Sequence, residues 1–127
     1  QQLDISDRVD IVGETHDPSP HVIGSDINTL ISYSEGLPLA ILEGMRAGKP
    51  TIATKVGGIP EIITEGIHGF LIPENSLKRL VEKLTVLVKS PPLRQRMGLN
   101  ARKRYEEVFL LEKMMGETIR IYSIVEQ

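Results

Sequence analysis

The chain has 127 residues, of which 40% are hydrophobic and 25% charged, and this composition is typical of an ordinary globular domain with one core. A net charge of −2 predicts no general attraction to nucleic acid, and the lack of cysteine excludes disulfides and thiolate chemistry. No apolar run approaches the ~20 residues that span a bilayer, and the first residues lack a signal-peptide pattern, so we expect a cytoplasmic protein. Two phenylalanines, three tyrosines and no tryptophan argue against a lectin-like sugar platform.

Short apolar runs alternate with longer stretches of helical period along the chain. This rhythm predicts an α/β fold, with a parallel sheet flanked by helices. No repeat, low-complexity tract or linker interrupts it, so residues 1–127 are expected to form one unit. The predicted strands are, in chain order, Val9–Val12, Ile27–Tyr33, Thr51–Thr54 and Gly69–Ile72.

The helix after the second predicted strand has clear limits. Pro38 suits its first turn, where a missing N–H costs nothing. Gly48 suits a left-handed C-terminal cap, and Pro50 prevents continuation of the helix. Its apolar stripe, which leaves Glu43 on the other side, consists of Ile41, Leu42 and Met45.

Four more helices are predicted after the third strand. A short one begins at Pro60, and Ser76 is the expected N-cap of a longer amphipathic helix. Ser90-Pro91-Pro92 ends that helix and starts another, which runs to about Val108, and a last helix covers about Leu111–Val125. The side chains expected to face inward from the amphipathic helix are Leu77, Leu80, Val81, Leu84 and Val88.

The loop Ser34–Pro38 has the features of an anion site. Ligands of open parallel sheets bind beyond the carboxyl ends of the strands, where this loop enters its helix. Gly36 allows close backbone approach, and the free N–H groups of a helix start would hold a diphosphate without any lysine. Glu43 follows roughly 7–8 Å along the helix, where a carboxylate suits a ribose diol. Glu35, at the loop mouth, would face a transferred sugar.

A second loop, Val56–Glu61, also joins a strand to a helix, and its glycines Gly57 and Gly58 would let the backbone approach the same ligand. Local chemistry leaves other interpretations open. Glu35 is alternatively a solvated loop carboxylate without a role in binding, and Glu43 is alternatively an exposed helix residue that pairs with Arg46. The two glycines equally suit turn geometry, and Glu61 is an acid in a first helical turn.

A family resemblance covers nearly the whole chain in one order. The stretch 34–50, SEGLPLAILEGMRAGKP, resembles the E-x7-E signature of the family 4, or group 1, glycosyltransferases. It is followed at the expected distance by 51–63, TIATKVGGIPEII, and by 66–73, GIHGFLIP, which is similar to the family's last strand. The predicted helix 92–108 resembles the family's tail.

The resemblance implies the C-terminal, Rossmann-like, donor-binding domain of a GT-B glycosyltransferase. Such an enzyme acts with retention of anomeric configuration and needs no bound metal or cofactor. The partners are then a nucleotide-sugar donor and an unknown acceptor. Glu35 would position the donor sugar or stabilise charge at the reacting centre, and Glu43 would bind the ribose. The amides of Gly36 and Leu37, with Leu39 a weaker candidate, would hold the diphosphate.

The chain departs from the family pattern in two ways. Pro38 replaces a commoner glycine, so phosphate contacts should shift to neighbouring amides. The family's diphosphate-neutralising lysine and arginine, and the first two strands of its domain, have no counterpart here. We therefore expect a partial domain from a longer protein, active as a whole but inactive as this part alone. Exposed strand edges should then rearrange or pair between copies.

Other features carry weaker expectations. His16, His21 and His68 lack metal-ligand spacing and are expected to serve loop structure. A basic helix is expected to present a solvated face, with peripheral contact to an anionic membrane as an alternative; its cations are Arg94, Arg96, Arg102, Lys103 and Arg104. The alternative to an enzyme is a non-catalytic nucleotide-binding or interaction module. The absence of a Walker loop and of G-x-G-x-x-G disfavours nucleotide hydrolysis and dinucleotide binding.

Overall fold

The computed structural model describes residues 3–125. After a single 3₁₀ turn at Ser6–Arg8, the helices are α1 (Ser19–Gly24), α2 (Leu39–Arg46), α3 (Ile59–Ile62), α4 (Leu77–Lys89), α5 (Pro91–Arg104) and α6 (Leu111–Val125). One turn of π-helix, Tyr105–Phe109, joins the last two. The strands are β1 (Asn28–Leu30), β2 (Thr51–Thr54) and β3 (Gly69–Ile72).

The three strands form one parallel sheet in the order β1-β2-β3, with Leu30 beside Ala53 and Ala53 beside Leu71. All four residues of β2 are buried, as expected for a strand covered on both faces. Successive side chains of a strand point to opposite faces. Ala53 accordingly packs in one apolar cluster with α2 and α3, and Ile52 in a second cluster with Leu87 of α4 and Met97 of α5. This is the Rossmann-like layering that the sequence predicts.

Two of the four predicted strands, Thr51–Thr54 and Gly69–Ile72, are confirmed at both ends, and Ile27–Tyr33 is confirmed as the shorter β1. The prediction of a strand at Val9–Val12 is wrong, because this segment is irregular and Ile11 is 92% exposed. A strand needs a neighbour for its backbone N–H and C=O groups. Within residues 3–125 the outer edge of β1 pairs with no strand, so the segment finds no such neighbour.

Helix α2 ends as the sequence predicts. Gly48 has a left-handed φ of 71°, its N–H donates to the carbonyl of Met45, and the Lys49 N–H donates to that of Gly44. This pair of bonds is a Schellman cap. At the other end Pro38 lies just outside the helix, as its N-cap, rather than in the first turn. The predicted stripe of Ile41, Leu42 and Met45 is buried.

Helix α4 begins at the predicted cap, where the Ser76 hydroxyl accepts from the Arg79 N–H at 3.4 Å. Its inward face was predicted wrongly in part. Leu80 and Leu84 pack against the core, but Leu77, Val81 and Val88 are exposed and the fully buried residue is Leu87. A helix buries only the stripe that meets a neighbour, and no described element covers the other side of α4.

Helix α6 has the predicted bounds, and its apolar residues Met115, Ile119 and Tyr122 are exposed. It contacts the preceding π-turn but buries none of its own residues. Among residues 3–125, no helix combines the length and apolar character that a bilayer crossing demands.

Helix α5 binds the C-terminal ends of three other helices through arginines. Arg94 donates to the carbonyls of Leu87 and Val88 in α4, at 2.7 and 3.0 Å. Arg102 donates to the last carbonyl of α2, and Arg104 donates to both final carbonyls of α3. Cations suit helix C-termini because the unpaired carbonyls there carry partial negative charge. The predicted solvated basic face is therefore wrong for Arg94 and Arg104, which are partly buried, whereas the Arg102 side chain remains 50% exposed.

The turn that ends α2 approaches α5 so closely that backbone meets backbone. A Cβ atom added to Gly98 would lie 2.0 Å from the carbonyl oxygen of Gly48. Only glycine fits at position 98, and the turn that ends α2 is thereby fixed against the middle of α5.

Candidate functional site

The two loops singled out in the sequence lie against each other at the carboxyl end of the sheet. Gly57 has a φ of +53°, and a Cβ atom there would lie 1.8 Å from the Glu35 carbonyl oxygen. A Cβ on Gly58 would lie 2.7 Å from the Gly36 carbonyl oxygen. Both glycines therefore serve close packing between the two loops, and the left-handed φ of Gly57 also fits the alternative of turn geometry. Their contact with a ligand stays a prediction.

Gly36 is a glycine that the chain's own packing does not require. A Cβ atom there would meet nothing within 4 Å, and its φ is outside the left-handed range. A larger side chain would instead project into the open space above the loop. Free space beside a backbone turn is what a closely bound ligand needs.

The start of α2 presents several backbone N–H groups without acceptors. The first amides that donate within the chain are those of Ile41 and Leu42, both to the Pro38 carbonyl. The amides of Gly36, Leu37, Leu39 and Ala40 donate to no acceptor within residues 3–125, and no side chain caps the helix. Such an end attracts anions through its free donors and the positive end of the helix dipole.

Glu35 is half-buried, and its carboxylate is held from below. The Ser32 hydroxyl donates to Glu35 Oε1 at 2.7 Å. Ser32 is in turn fixed by Thr54, the buried last residue of β2, whose hydroxyl donates to the Ser32 carbonyl at 2.7 Å and accepts from the Ser32 N–H at 3.0 Å. The acid at the loop mouth thus has a defined orientation.

Glu43 lies on α2 away from the buried stripe, as predicted, and is itself half-buried. Its carboxylate forms no ion pair and accepts no hydrogen bond from residues 3–125, so the alternative of a pair with Arg46 is not realised. A cavity of about 290 Å³ adjoins it, lined by Ser19, Val22, Ile23, Arg46, Ala47 and Arg102 as well as Glu43. A second cavity, of about 270 Å³, reaches the same carboxylate from the side of Leu37 and Leu39.

His68, His21 and Glu61 lie in turns and helices of the fold. His68 is buried in a turn, where its Nδ1 accepts from the Thr64 N–H at 3.0 Å. Burial, and then the nearby Arg104, lower the pKa of His68. His21 lies in α1 rather than in a loop, which corrects its prediction, and Glu61 lies in the first turn of α3 as expected. In the described range no three His, Asp or Glu side chains converge as a metal site requires.

Sequence reasoning missed Ser32 and Thr54. The spacing of Ser32, three residues before Glu35, could have suggested a local hydrogen bond to the acid. Nothing in the sequence indicated that Thr54 would reach across from the next strand, because that contact depends on the register of β1 against β2.

Comparison with known proteins gives the chain a family. The profile of the "Glycosyl transferases group 1" matches residues 1–104. N-acetyl-alpha-D-glucosaminyl L-malate synthase from Bacillus anthracis is 34% identical over 122 residues, which are 96% of this chain and 32% of the relative. A trehalose synthase from Pyrococcus horikoshii is 37% identical over 99 residues, 78% of this chain and 23% of the relative. The chain thus spans about a third or less of these relatives.

Solved structures show the same fold. Sucrose-phosphate synthase from Thermosynechococcus elongatus matches with a TM-score of 0.90 at 25% identity, over 96% of this chain and 31% of that protein. A glycosyltransferase from Rickettsia africae matches with a TM-score of 0.87 at 27% identity, over 93% of this chain and 32% of its own. The sheet and its helices are a partial Rossmann-like domain of the GT-B type. The chain belongs to the group 1 glycosyltransferases.

Proposed function

We propose that the full-length protein transfers a glycosyl group from a nucleotide sugar to an acceptor, and that this chain binds the donor. One observation carries the proposal: free amides at Gly36, Leu37, Leu39 and Ala40 open the helix that also presents the unpaired carboxylate of Glu43. The amides suit a diphosphate, and the carboxylate suits the hydroxyls of the attached ribose. Gly36 and Leu37 are the principal phosphate contacts.

Structural neighbours favour a nucleotide ligand. The Anabaena protein HepE matches with a TM-score of 0.89 at 22% identity, over 94% of this chain and 33% of HepE. Its structure was solved in complex with UDP and glucose. Staphylococcus aureus TarM, with a TM-score of 0.83 at 21% identity, was solved with UDP as well. These neighbours make UDP the first nucleotide to test here.

The reaction breaks the bond between the donor's anomeric carbon and the diphosphate oxygen, and the electron pair leaves with the nucleoside diphosphate. A hydroxyl oxygen of the acceptor forms the new bond on the same face, which retains the anomeric configuration. The departing phosphate oxygen takes the hydroxyl proton. No metal enters this scheme.

The chain's part in this step is electrostatic. Amide dipoles fixed at the start of α2 stabilise the negative charge that develops on the departing diphosphate. Glu35 faces the sugar, where its carboxylate positions the ring or stabilises positive charge at the anomeric carbon. Further neutralising cations belong to the rest of the protein.

The ribose contact gives a direct test. Replacing Glu43 by alanine in the full-length protein should weaken UDP binding about 30-fold, because hydrogen bonds to a charged group contribute about 1.5–3 kcal/mol. Glu61→Ala, which removes an exposed acid in the first turn of α3, is the matched control. Calorimetry measures both affinities, and an unchanged affinity in Glu43→Ala refutes the ribose role.

Turnover separates the enzyme from the alternative of a non-catalytic binding module. The full-length protein should release nucleoside diphosphate from UDP-glucose, GDP-mannose or ADP-glucose, and NMR of the product reports its anomeric configuration. Binding of a nucleotide without transfer or hydrolysis of any of these sugars would assign the protein to the binding module.

Two further partners also stay predictions. Self-association of this chain through the open edge of β1 should appear as a dimer or larger species in light scattering, and a monomer contradicts it.

Peripheral membrane contact now rests on Arg96 and Lys103 together with other parts of the protein, because the other arginines of α5 are engaged. Sedimentation with anionic vesicles tests it.

A further inference from the structure

We propose that Ser32 and Thr54 are positioning residues that aim the carboxylate of Glu35 at the donor sugar. The inference rests on the proposed function and deepens it, since it adds two residues outside the E-x7-E stretch to the donor site. Three hydrogen bonds carry it. Two join Thr54, in the central strand of the sheet, to the backbone of Ser32, and the third joins the Ser32 hydroxyl to Glu35.

The first step is the anchoring of Ser32 by a side chain in place of a strand. The regular ladder between β1 and β2 ends at Leu30 beside Ala53. Beyond it the Thr54 hydroxyl both donates to the Ser32 carbonyl and accepts from its N–H. One buried hydroxyl therefore satisfies both backbone groups of Ser32 and extends the rigid sheet by two residues toward the loop.

The second step is the bond from Ser32 to Glu35. At 2.7 Å it has the length of a strong hydroxyl-to-carboxylate hydrogen bond. A free glutamate has three rotatable side-chain bonds, and this contact selects one rotamer family for the acid. Because Thr54 of β2 already fixes the Ser32 backbone, the position of the Glu35 carboxylate is determined by β2.

The backbone of Glu35 is fixed separately. The Gly57 Cα lies against the Glu35 carbonyl, so closely that no Cβ fits between them. Main chain and side chain of Glu35 are thus held by different partners. Loss of the Ser32 hydroxyl should free the carboxylate while the loop keeps its course.

Ser32→Ala in the full-length protein is the direct test. Thr29→Ala is its control, because Thr29 is exposed in β1, lies outside the candidate site and forms no side-chain hydrogen bond within residues 3–125. We expect Ser32→Ala to lower kcat about tenfold, as loss of one hydrogen bond to a charged group implies, with UDP affinity unchanged. Thr29→Ala should stay within about twofold of the wild type, and Ser32→Thr, which retains the hydroxyl, should restore most of the rate. Turnover is the release of nucleoside diphosphate from UDP-glucose, GDP-mannose or ADP-glucose.

A double-variant cycle distinguishes positioning from a general structural role. In a Glu35→Ala background the Ser32 hydroxyl has no carboxylate to orient, so adding Ser32→Ala should cause no further loss of kcat. A tenfold loss that persists in this background overturns the proposal, as does a Ser32→Ala rate equal to that of Thr29→Ala.

The Thr54 step has a readout that needs no turnover. Thr54→Val keeps the shape of the side chain but removes both bonds to Ser32, whereas Thr54→Ser keeps the hydroxyl. Hydrogen exchange of the segment 27–37 should quicken about tenfold in Thr54→Val and stay near the wild-type rate in Thr54→Ser. Equal exchange in the two variants overturns the anchoring step. Failure of the proposed function would appear elsewhere, as unchanged UDP affinity in Glu43→Ala.

Discussion

At the C-terminal end of α2 each of the last carbonyls has a partner, whereas at its N-terminal end four amides have none within residues 3–125. The closing partners are the Ala47, Gly48 and Lys49 amides and the guanidinium of Arg102. The opposite end has only Pro38 as its N-cap, with neither a side-chain acceptor nor an N–H of its own. The same helix is therefore sealed at one end and open at the other.

Two other helices, α4 and α5, begin with a side-chain cap. Ser76 accepts from an amide at the start of α4, and Ser90 does so at the start of α5. An N-cap of this kind contributes about 1 kcal/mol. At α2 that stabilisation is absent, and an external anion is the partner that would replace it. Helix α2 thus differs from α4 and α5 at its start, and the proposed function assigns this uncapped end to the diphosphate.

Gly57→Ala should have the largest effect, since it removes the support of the open end. The added Cβ would overlap the Glu35 carbonyl, and alanine also resists a φ of +53°. We expect a loss of about 3 kcal/mol in unfolding free energy and about 100-fold in turnover. Urea unfolding and nucleoside diphosphate release measure these.

Gly66→Ala is its control, because Gly66 has a similar φ of +77° but nothing within 4 Å of a Cβ atom. It should cost about 1 kcal/mol, from backbone strain alone, and leave turnover near the wild-type value. Equal losses in the two variants would show that strain, and not contact between the loops, dominates at Gly57.

Leu39→Asp should sharpen the comparison by supplying the open end with its own anion. Leu39 is exposed, so the substitution buries no charge. A carboxylate in the first turn should stabilise the fold by about 0.5 kcal/mol while it repels a diphosphate and weakens UDP binding about tenfold. Leu39→Asn, of the same shape without the charge, should stay within about threefold. If both variants bind UDP as the wild type does, the diphosphate does not lie at this helix start.

Arg102→Met tests the sealed end. It removes the donor to the Arg46 carbonyl and the 2.7 Å bond to Glu106, but it keeps much of the apolar stem. We expect unfolding free energy to fall by about 1–2 kcal/mol, with UDP affinity unchanged. Lys103→Met, next to it and far more exposed, should change stability by less than about 0.5 kcal/mol. A loss of UDP affinity without loss of stability would assign Arg102 to the ligand site.

The smallest expected effect is the pH dependence of the unfolding free energy that arises from His68, in the turn after α3. Burial and Arg104 lower the pKa of His68 in the folded chain, so below about pH 6.5 the unfolded chain takes up a proton that the folded one does not. Unfolding free energy should therefore fall as pH drops from 6.5 toward the folded-state pKa of this histidine. Urea unfolding at pH 7.5, 6.5 and 5.5 should show a flatter slope in His68→Asn. An identical slope in this variant contradicts the assignment.

Much of the fold follows from local sequence. Proline and glycine punctuation set the limits of α2, the Ser76 cap set the start of α4, and apolar runs gave β2 and β3 in full. The resemblance to the family supplied the pair Glu35 and Glu43. The structure then placed Glu35 where β2 can hold it and left Glu43 unpaired beside two cavities.

What failed depended on partners that lie far along the chain. The Val9–Val12 run has strand composition, but strand formation requires a neighbour that no described residue provides. The outward stripe of α4 is apolar by pattern and exposed by packing. The arginines of α5 looked like a solvated face because the carbonyls they bind belong to helices up to 56 residues away.

The backbone contact between Gly48 and Gly98 bears on motion. The turn that ends α2 touches α5 main chain to main chain, and buried side chains of both helices pack in one cluster beside this contact. We therefore expect that α2 and α5 cannot slide past each other by small rotamer changes. If the protein opens and closes around a donor, α2 and α5 should move together as one rigid body, with the hinge outside both helices. Spin labels placed on α2 and α5 should then keep a constant separation when nucleotide is added.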